Sequence, residues 1–120
     1  MGETKLHAKE TGLLQGTLLP GTLDMLILKA LARGPLHGYA VSEWIGASSD
    51  DTLRVEEGAL YPALHGLEAK GWISSQTQEE NGRVRCYYKL TEKGRKALAA
   101  EKQEWERFSG AFNLILQETS

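Results

Sequence analysis

The chain has 120 residues, of which 41% are hydrophobic and 25% charged, and this composition is typical of one globular domain rather than a collagen-like or disordered chain. Its single cysteine, Cys86, excludes a disulfide framework or a thiolate metal cage, and no apolar run reaches the ~18 residues needed to cross a bilayer. The first residues lack the apolar segment of a secretory signal, so we expect a cytoplasmic protein without a cofactor or membrane contact.

The net charge of −2 is unevenly distributed. Residues 70–96 carry 7 Lys/Arg against 3 Asp/Glu, a balance of +4, whereas residues 1–69 and 97–120 have balances of −4 and −2. A basic segment between acidic ones is typical of a localised phosphate-facing surface, because contact depends on the local field. A solvated basic face without any ligand would give the same count.

The chain divides into three predicted regions. Residues 1–15 mix charge, glycine and threonine without a period and are predicted to form a flexible tail. Residues 16–92 contain the periodic segments of a compact domain, and residues 93–117 form a predicted C-terminal helix.

Two helices open the middle region. The first has Pro20 in its first turn, where the missing N–H is tolerated, and it ends at Gly34-Pro35. The second runs from His37 to Ala47, and we interpret His37 as a loop or capping residue rather than a ligand contact. Apolar residues lie on one face of the first helix, namely Leu19, Leu23, Leu26, Ile27, Ala30 and Leu31.

A connector and a third helix follow. Leu53-Arg54-Val55 alternates apolar and polar residues and is predicted to form a small strand. The third helix begins near Gly58, has Pro62 near its first turn and ends at Lys70-Gly71. Its predicted buried face comprises Leu60, Leu64 and Leu67.

A β-hairpin follows the third helix, because Asn81-Gly82 is a strong two-residue turn signal. Beyond this turn apolar and basic residues alternate. The alternation predicts a core-facing set, Val84, Cys86, Tyr88 and Leu90, and an outward set, Arg83, Arg85, Tyr87 and Lys89. A cysteine facing inward is expected to be a small inert hydrophobe.

The last helix is capped by Thr91 and carries a heptad pattern. Its apolar residues are spaced by 7, 3, 4 and 3 positions, which are the steps of a coiled-coil seam. A seam on so short a chain needs a partner, so we predict a homodimer interface formed by Leu98, Trp105, Phe108, Phe112 and Ile115.

The order of elements predicts a mainly α fold with a small β-hairpin wing: a winged helix-turn-helix plus a long C-terminal dimerisation helix. In such proteins the third helix enters the major groove and flanking elements hold phosphates. Its exposed face lacks Arg, Asn and Gln, so we expect the wing's phosphate contacts to supply most affinity. The predicted DNA-binding residues are Tyr39, Gly58, Ala59, Tyr61, Pro62, His65, Lys70, Arg83, Arg85 and Lys89.

Over about residues 16–116 the sequence resembles the PadR family of transcriptional regulators. The resemblance is carried by residues 23–31, His37-Gly38-Tyr39, residues 57–64, residues 67–73 and residues 87–94. It implies a homodimeric winged-helix repressor whose C-terminal helices pair, with release by a small molecule in some members. It assigns the recognition-helix motif to Tyr61-Pro62, the early motif to Gly38-Tyr39 and the basic wing to Arg83 and Arg85.

We therefore predict a sequence-specific DNA-binding transcriptional regulator, a homodimeric repressor of a near-palindromic operator in double-stranded DNA. Trp105 is predicted to be part of the dimer core. A small planar apolar effector is a possible further partner, with Trp105 as its aromatic wall, and the two roles are compatible. A second hypothesis is a ligand-sensing or protein-interaction module on the same fold that does not bind DNA. No nucleophile, phosphate-cradling or metal-ligand motif suggests an enzyme.

Overall fold

The computed structural model describes residues 21–118 and shows four helices and a three-stranded sheet. This architecture confirms the predicted fold class. The predicted tail, residues 1–15, and the predicted helix start at Leu19 and Pro20 lie outside the described residues. In chain order the elements are α1 (Thr22–Leu31), β1 (Leu36–His37), α2 (Gly38–Ser48), α3 (Glu57–Ala69), β2 (Ile73–Glu80), β3 (Arg83–Leu90) and α4 (Glu92–Leu116).

Helix α1 lies at the centre of the hydrophobic core. It packs against α2, α3, α4 and β3, so it is buried on more sides than one amphipathic stripe provides. Leu28, which lies outside the predicted apolar face, is fully buried for this reason. The other helices add Val41 and Ile45 from α2 and Leu60, Leu64 and Leu67 from α3.

The three strands form an antiparallel sheet in the order β1-β3-β2. Asn81 and Gly82 both have positive φ, 51° and 77°, as the predicted two-residue hairpin turn requires. The predicted strand at Leu53–Val55 is wrong. The free edge of β3 is taken instead by Leu36–His37, while Leu53 and Val55 pack their side chains on the core from an irregular connector.

The predicted core-facing set of β3 is only half correct. Tyr88 and Leu90 are buried, but Val84 is 71% exposed and Cys86 is also exposed. All four residues share one face of the sheet, yet the hairpin extends past the helices that would cover its tip. The interpretation of Cys86 as an inward hydrophobe is therefore wrong.

The helix boundaries differ from the predicted ones by one or a few residues. Helix α3 begins at Glu57, so Pro62 is its sixth residue, one residue deeper than the predicted start at Gly58 would place it, and it lies in the second turn. The carbonyl that the missing Pro62 N–H would have bonded belongs to Gly58, which is exposed and open to hydration. Helix α2 begins after His37, whose Nδ1 accepts the Ala40 N–H and caps the helix as predicted.

Helix α4 is fixed to the base of the hairpin through its first turn. Thr91 caps it by accepting the Gly94 N–H at 3.0 Å, and the Thr91 hydroxyl donates to the Gly71 carbonyl at 2.7 Å. Gly94 is buried directly against the carbonyl of Trp72. The close approach explains why glycine occupies a position where a capping box would have Glu or Gln.

We expect Gly94→Ala to destabilise the protein by about 3 kcal/mol, the upper end of the range for overpacking. An added Cβ would overlap the Trp72 carbonyl oxygen and lie 2.7 Å from Leu90 Cδ1, so backbone must move. Gly110→Ala in the same helix is the control, because nothing lies within 4 Å of its Cβ position. Chemical denaturation measures both; equal free energies of unfolding for the two variants would contradict the packing argument.

Candidate nucleic-acid interface

The start of α2, the exposed side of α3 and strand β3 surround an open groove of about 240 Å³. Four of the predicted DNA-binding residues line it, namely Tyr39, Tyr61, Arg83 and Arg85. They come from three separate elements, and the pairing of β1 with β3 holds the start of α2 beside the wing. The groove therefore presents phenol and guanidinium groups on one surface.

The Tyr61 ring lies against the backbone of Gly38. A Cβ built on Gly38 would be 2.7 Å from Tyr61 Oη and 2.9 Å from two of its ring carbons, so only glycine permits this packing. Tyr61 is half-buried, whereas the neighbouring Tyr39 is 60% exposed. The Gly38-Tyr39 and Tyr61-Pro62 motifs are therefore in contact, because the Tyr61 ring packs on the Gly38 backbone.

We expect Gly38→Ala to destabilise the protein by about 1 kcal/mol and to displace the Tyr61 ring from the groove. The cost is modest because the half-buried ring can swing toward solvent. Gly66→Ala in α3, which meets nothing within 4 Å, is expected to stabilise slightly through helix propensity. Thermal unfolding compares the two variants, and a stabilised Gly38→Ala protein would contradict the contact.

The remaining α3 candidates form a small, weakly polar surface. Gly58, Pro62 and His65 are exposed and Ala59 is half-buried. Such groups favour close approach and contact with thymine methyl groups over bidentate hydrogen bonds to bases. These positions are consistent with the expectation that α3 contributes close apolar contacts, whereas the positively charged side chains of the wing contribute most of the affinity.

The basic residues of β3 alternate on the outer face, as predicted, but they differ in their surroundings. Arg83 and Lys89 are exposed, whereas Arg85 is half-buried. Arg85 Nη1 lies 3.0 Å from His37 Nε2, and its Nε lies 4.0 Å from a Glu80 carboxylate oxygen. Arg85 is therefore partly neutralised by a carboxylate on its own hairpin.

The Glu80 carboxylate also accepts the Tyr87 hydroxyl, at 3.0 and 3.1 Å from its two oxygens. This hydrogen bond, with smaller contributions from burial and the Glu80 charge, raises the pKa of Tyr87. Tyr87 consequently remains a neutral donor, and Glu80 has two partners on the wing. No signal in the sequence distinguishes Glu80 from the adjacent Glu79; the register of the hairpin does, because Glu80 pairs with Arg83 on the outer face.

Lys70 is not brought into the groove. Its ammonium lies 3.8 Å from Asp24 Oδ2 on α1 and 4.6 Å from the ring centroid of Trp72. Both contacts hold the side chain on the side of α3 that faces α1. The predicted role of Lys70 in DNA binding therefore has no support from its position.

Helix α4 carries an exposed apolar face along its C-terminal half. Trp105 is 42% exposed, and Phe108, Phe112 and Ile115 are more exposed still. Leu98, the first residue of the predicted seam, differs because it packs against the core of its own chain. The seam available to another molecule therefore starts after the point where α4 leaves the domain.

A second cavity, of about 310 Å³, lies between the start of α1 and α4. Met25, Trp105 and Phe108 provide its apolar lining, and Glu101 and Glu104 its carboxylates. One oxygen of Glu101 is buried without a hydrogen-bond partner. Burial raises the pKa of Glu101, the nearby Asp24 charge adds to the rise, and Lys70 opposes it.

The residues that the structure describes contain no group of three or more His, Cys, Asp or Glu side chains that could hold a metal ion. No helix between residues 21 and 118 combines the length and apolar character that a bilayer crossing requires.

Comparison with known proteins places these features in a class. Residues 27–100 match the family described as "Transcriptional regulator PadR-like family". A solved structure of a transcriptional regulator from Clostridium thermocellum superposes with a TM-score of 0.78 at 30% identity, covering 85% of this chain and all of that one. The fold is that of a winged-helix, DNA-binding regulator of transcription.

The chain belongs to the PadR-like family of transcriptional regulators. A transcriptional regulator of Mycobacterium tuberculosis is 35% identical over 83 residues, which are 69% of this chain and 75% of the relative. A 37.1 kDa protein of a transposon from Streptomyces fradiae is 45% identical over 87 residues. Those residues are 72% of this chain, but the chain spans only 24% of that longer protein.

Proposed function

We propose that the chain is a homodimeric repressor that binds a near-palindromic operator in duplex DNA and is released by a small molecule. The observation that carries the DNA-binding part is the groove in which Tyr39, Tyr61, Arg83 and Arg85 converge beside α3. With α3 in the major groove, the hairpin would lie along the flanking backbone, where Arg83 and Arg85 meet phosphates.

The homodimer is supported by the exposed face of α4. The helix is 25 residues long and its N-terminal part packs on its own domain, whereas Trp105, Phe108 and Phe112 project from the remainder. An exposed apolar seam with heptad spacing is stabilised by pairing with the same face of a second copy. Two wings related by a two-fold axis would then read two half-sites of a near-palindrome.

Release by an effector is supported by the cavity at Trp105. Its volume and aromatic wall fit a small planar apolar molecule, and it adjoins the seam that we assign to the dimer. A ligand there would contact α1 and α4 together, and so would bias the angle at which the dimer presents its two α3 helices. Trp105 then serves both as part of the seam and as the ligand wall.

The DNA-binding part is tested by titrating a duplex from the promoter region of the protein's own gene, with fluorescence anisotropy as the readout. We expect saturable binding, resistant to competing DNA of unrelated sequence, with two chains per duplex. Absence of any preference over the competitor would favour the alternative, a ligand-sensing or protein-interaction module. The overall net charge of −2 and the α3 face without arginine favour that alternative.

We expect Glu101→Gln to raise the melting temperature by a few degrees at pH 7 and to have little effect below pH 4.5, the ordinary pKa of this carboxyl group. Because the pKa of Glu101 is raised in the folded chain, the folded state holds this proton more tightly than the unfolded state. The free energy of unfolding therefore falls as the pH rises from the ordinary pKa of a glutamate through the raised pKa of Glu101. Glutamine does not ionise, so the variant does not lose this stability.

Thermal unfolding at the two pH values tests this expectation. Glu106→Gln is the control, because this residue lies on the exposed surface of the same helix. An identical change in melting temperature at both pH values would show that the Glu101 charge is not responsible.

A further inference from the structure

The side chain of His37 faces a hydrogen-bond donor at each ring nitrogen. Nδ1 lies 3.3 Å from the Ala40 backbone nitrogen, whose N–H it accepts as the cap of α2. Nε2 lies 3.0 Å from Nη1 of Arg85. A neutral imidazole has one acceptor and one N–H, and a guanidinium has donors only. Both contacts therefore cannot be hydrogen bonds at the same time.

The cap determines which nitrogen carries the proton. The Ala40 N–H is fixed in the backbone of α2, so a proton on Nδ1 would face it without relief, whereas the Arg85 side chain can move away from a proton on Nε2. The tautomer that keeps the cap therefore has Nδ1 as the acceptor and the proton on Nε2. The ring is fixed from two further directions, by the pairing of His37 with Tyr87 in the sheet and by the edge-to-face contact of their rings at 5.7 Å. Nε2–H and the Arg85 guanidinium are then two donors at hydrogen-bond distance without an acceptor between them.

Of these two donors, only Arg85 can move readily. Its side chain is 41% exposed, and its acidic partner Glu80 lies at the 4.0 Å limit of an ion pair and also binds Tyr87. The guanidinium can therefore move away from Nε2 by the width of one oxygen atom without losing a strong contact. The position between the two donors is suited to an anionic oxygen.

We propose that His37 Nε2–H and the Arg85 guanidinium bind one phosphate group of duplex DNA together, with His37 acting as a DNA-backbone contact as well as a helix cap. The proposal rests on the DNA-binding function and deepens it. A phosphodiester has two unesterified oxygens, so one group can accept from both donors. Arg83 and Tyr39 line the same groove, so they would face the phosphates next to the one that His37 and Arg85 bind.

Paired donors on one phosphate predict a coupling that separate contacts would not show. Without the imidazole donor, Arg85 loses the partner that orients the phosphate, and without Arg85, the phosphate keeps only the single hydrogen bond from His37. Replacing either residue should therefore remove most of the affinity that the pair contributes, so the double variant should bind little more weakly than either single variant. A double-mutant cycle measures this coupling directly.

The experiment uses the full chain and a 30-base-pair duplex of mixed sequence at low salt, because phosphate contacts do not depend on sequence. The variants are His37→Asn, Arg85→Gln and the double variant. Asparagine is a good N-cap, so it keeps the acceptor for Ala40 while its shorter side chain removes the second donor. His37→Ser is a second capping variant, used if the asparagine protein fails to fold.

We expect each single variant to weaken binding about tenfold and the double variant to weaken it by no more than about twofold beyond either single. Lys89→Gln is the matched control: this exposed residue lies on the same face of β3 but is not in the groove, so its effect should multiply with that of His37→Asn. Thermal unfolding should place His37→Asn within a few degrees of the wild type.

Multiplying effects of His37→Asn and Arg85→Gln, or unchanged binding by a folded His37→Asn protein, would overturn the shared phosphate while leaving DNA binding by the wing intact. Unchanged binding by Arg85→Gln would overturn both this inference and the assignment of Arg85 to the interface. A wild-type chain that does not bind the duplex at low salt would overturn the DNA-binding proposal itself.

Discussion

We expect Trp105→Ala to raise the dissociation constant of the dimer by roughly 100-fold or more. Truncating a buried tryptophan costs about 3 to 5 kcal/mol, and a symmetric seam loses the side chain from both copies. The domain itself should stay folded, because Trp105 is not among the residues of the core. Sedimentation equilibrium measures the dissociation constant, and operator affinity should fall with it at protein concentrations where the variant is monomeric.

Leu114→Ala is the matched control for this prediction. Leu114 is 75% exposed on the same half of α4 but lies outside the heptad seam, so its loss should leave the dimer unchanged. An unaltered dimer in Trp105→Ala would place the tryptophan outside the seam. If that variant also failed to bind a planar aromatic dye, Trp105 would be the wall of a ligand site alone.

Local patterns in the sequence predict the elements of this fold well. The Asn81-Gly82 turn, the cap at Thr91 and the apolar spacing of α3 each depend on residues close together in the chain, and the structure shows all three. The element order and the PadR resemblance then indicate the winged-helix class, which the family match confirms. The sequence is sufficient to predict these features, because each is determined by residues that are neighbours in the chain.

The predictions that fail depend on contacts between distant parts of the chain. Leu36–His37 is too short to show a strand pattern and becomes a strand only because β3 offers a free edge. Leu53–Val55 has the pattern but no edge to pair with. The DNA contact of Lys70 stays a prediction, but its ion pair with Asp24 of α1 is likewise a contact between distant residues that no local pattern indicates.

The heptad pattern of α4 illustrates the same limit. A periodic apolar stripe shows which face of a helix is buried, but it does not show whether the partner is the same chain or another one. Leu98 belongs to the stripe and is half-buried against its own domain, whereas Phe112 and Ile115 are exposed. The pattern is the same along the whole helix. Whether a residue of the stripe packs on its own domain or is exposed depends on where the helix extends past that domain.

We expect Arg83→Ala combined with Arg85→Ala to reduce operator affinity by 100-fold or more at physiological salt and to flatten its salt dependence. Each phosphate contact contributes about 0.9 to the slope of log affinity against log salt, so four arginines in a dimer contribute roughly 3 to 4 units. Anisotropy titrations at several salt concentrations measure both quantities. The loss should be nearly independent of DNA sequence, because phosphates carry no sequence information.

Lys29→Gln combined with Arg33→Gln is the charge control for the wing variant. Both residues are exposed at the end of α1 and outside the groove, so this pair removes the same charge without removing a predicted phosphate contact. If the positive charges acted only through the long-range electrostatic field of the protein, the two double variants would weaken DNA binding equally. A large change in slope for the wing variant alone would locate the phosphate contacts on β3, whereas an unchanged slope there would show that the wing does not contact the backbone.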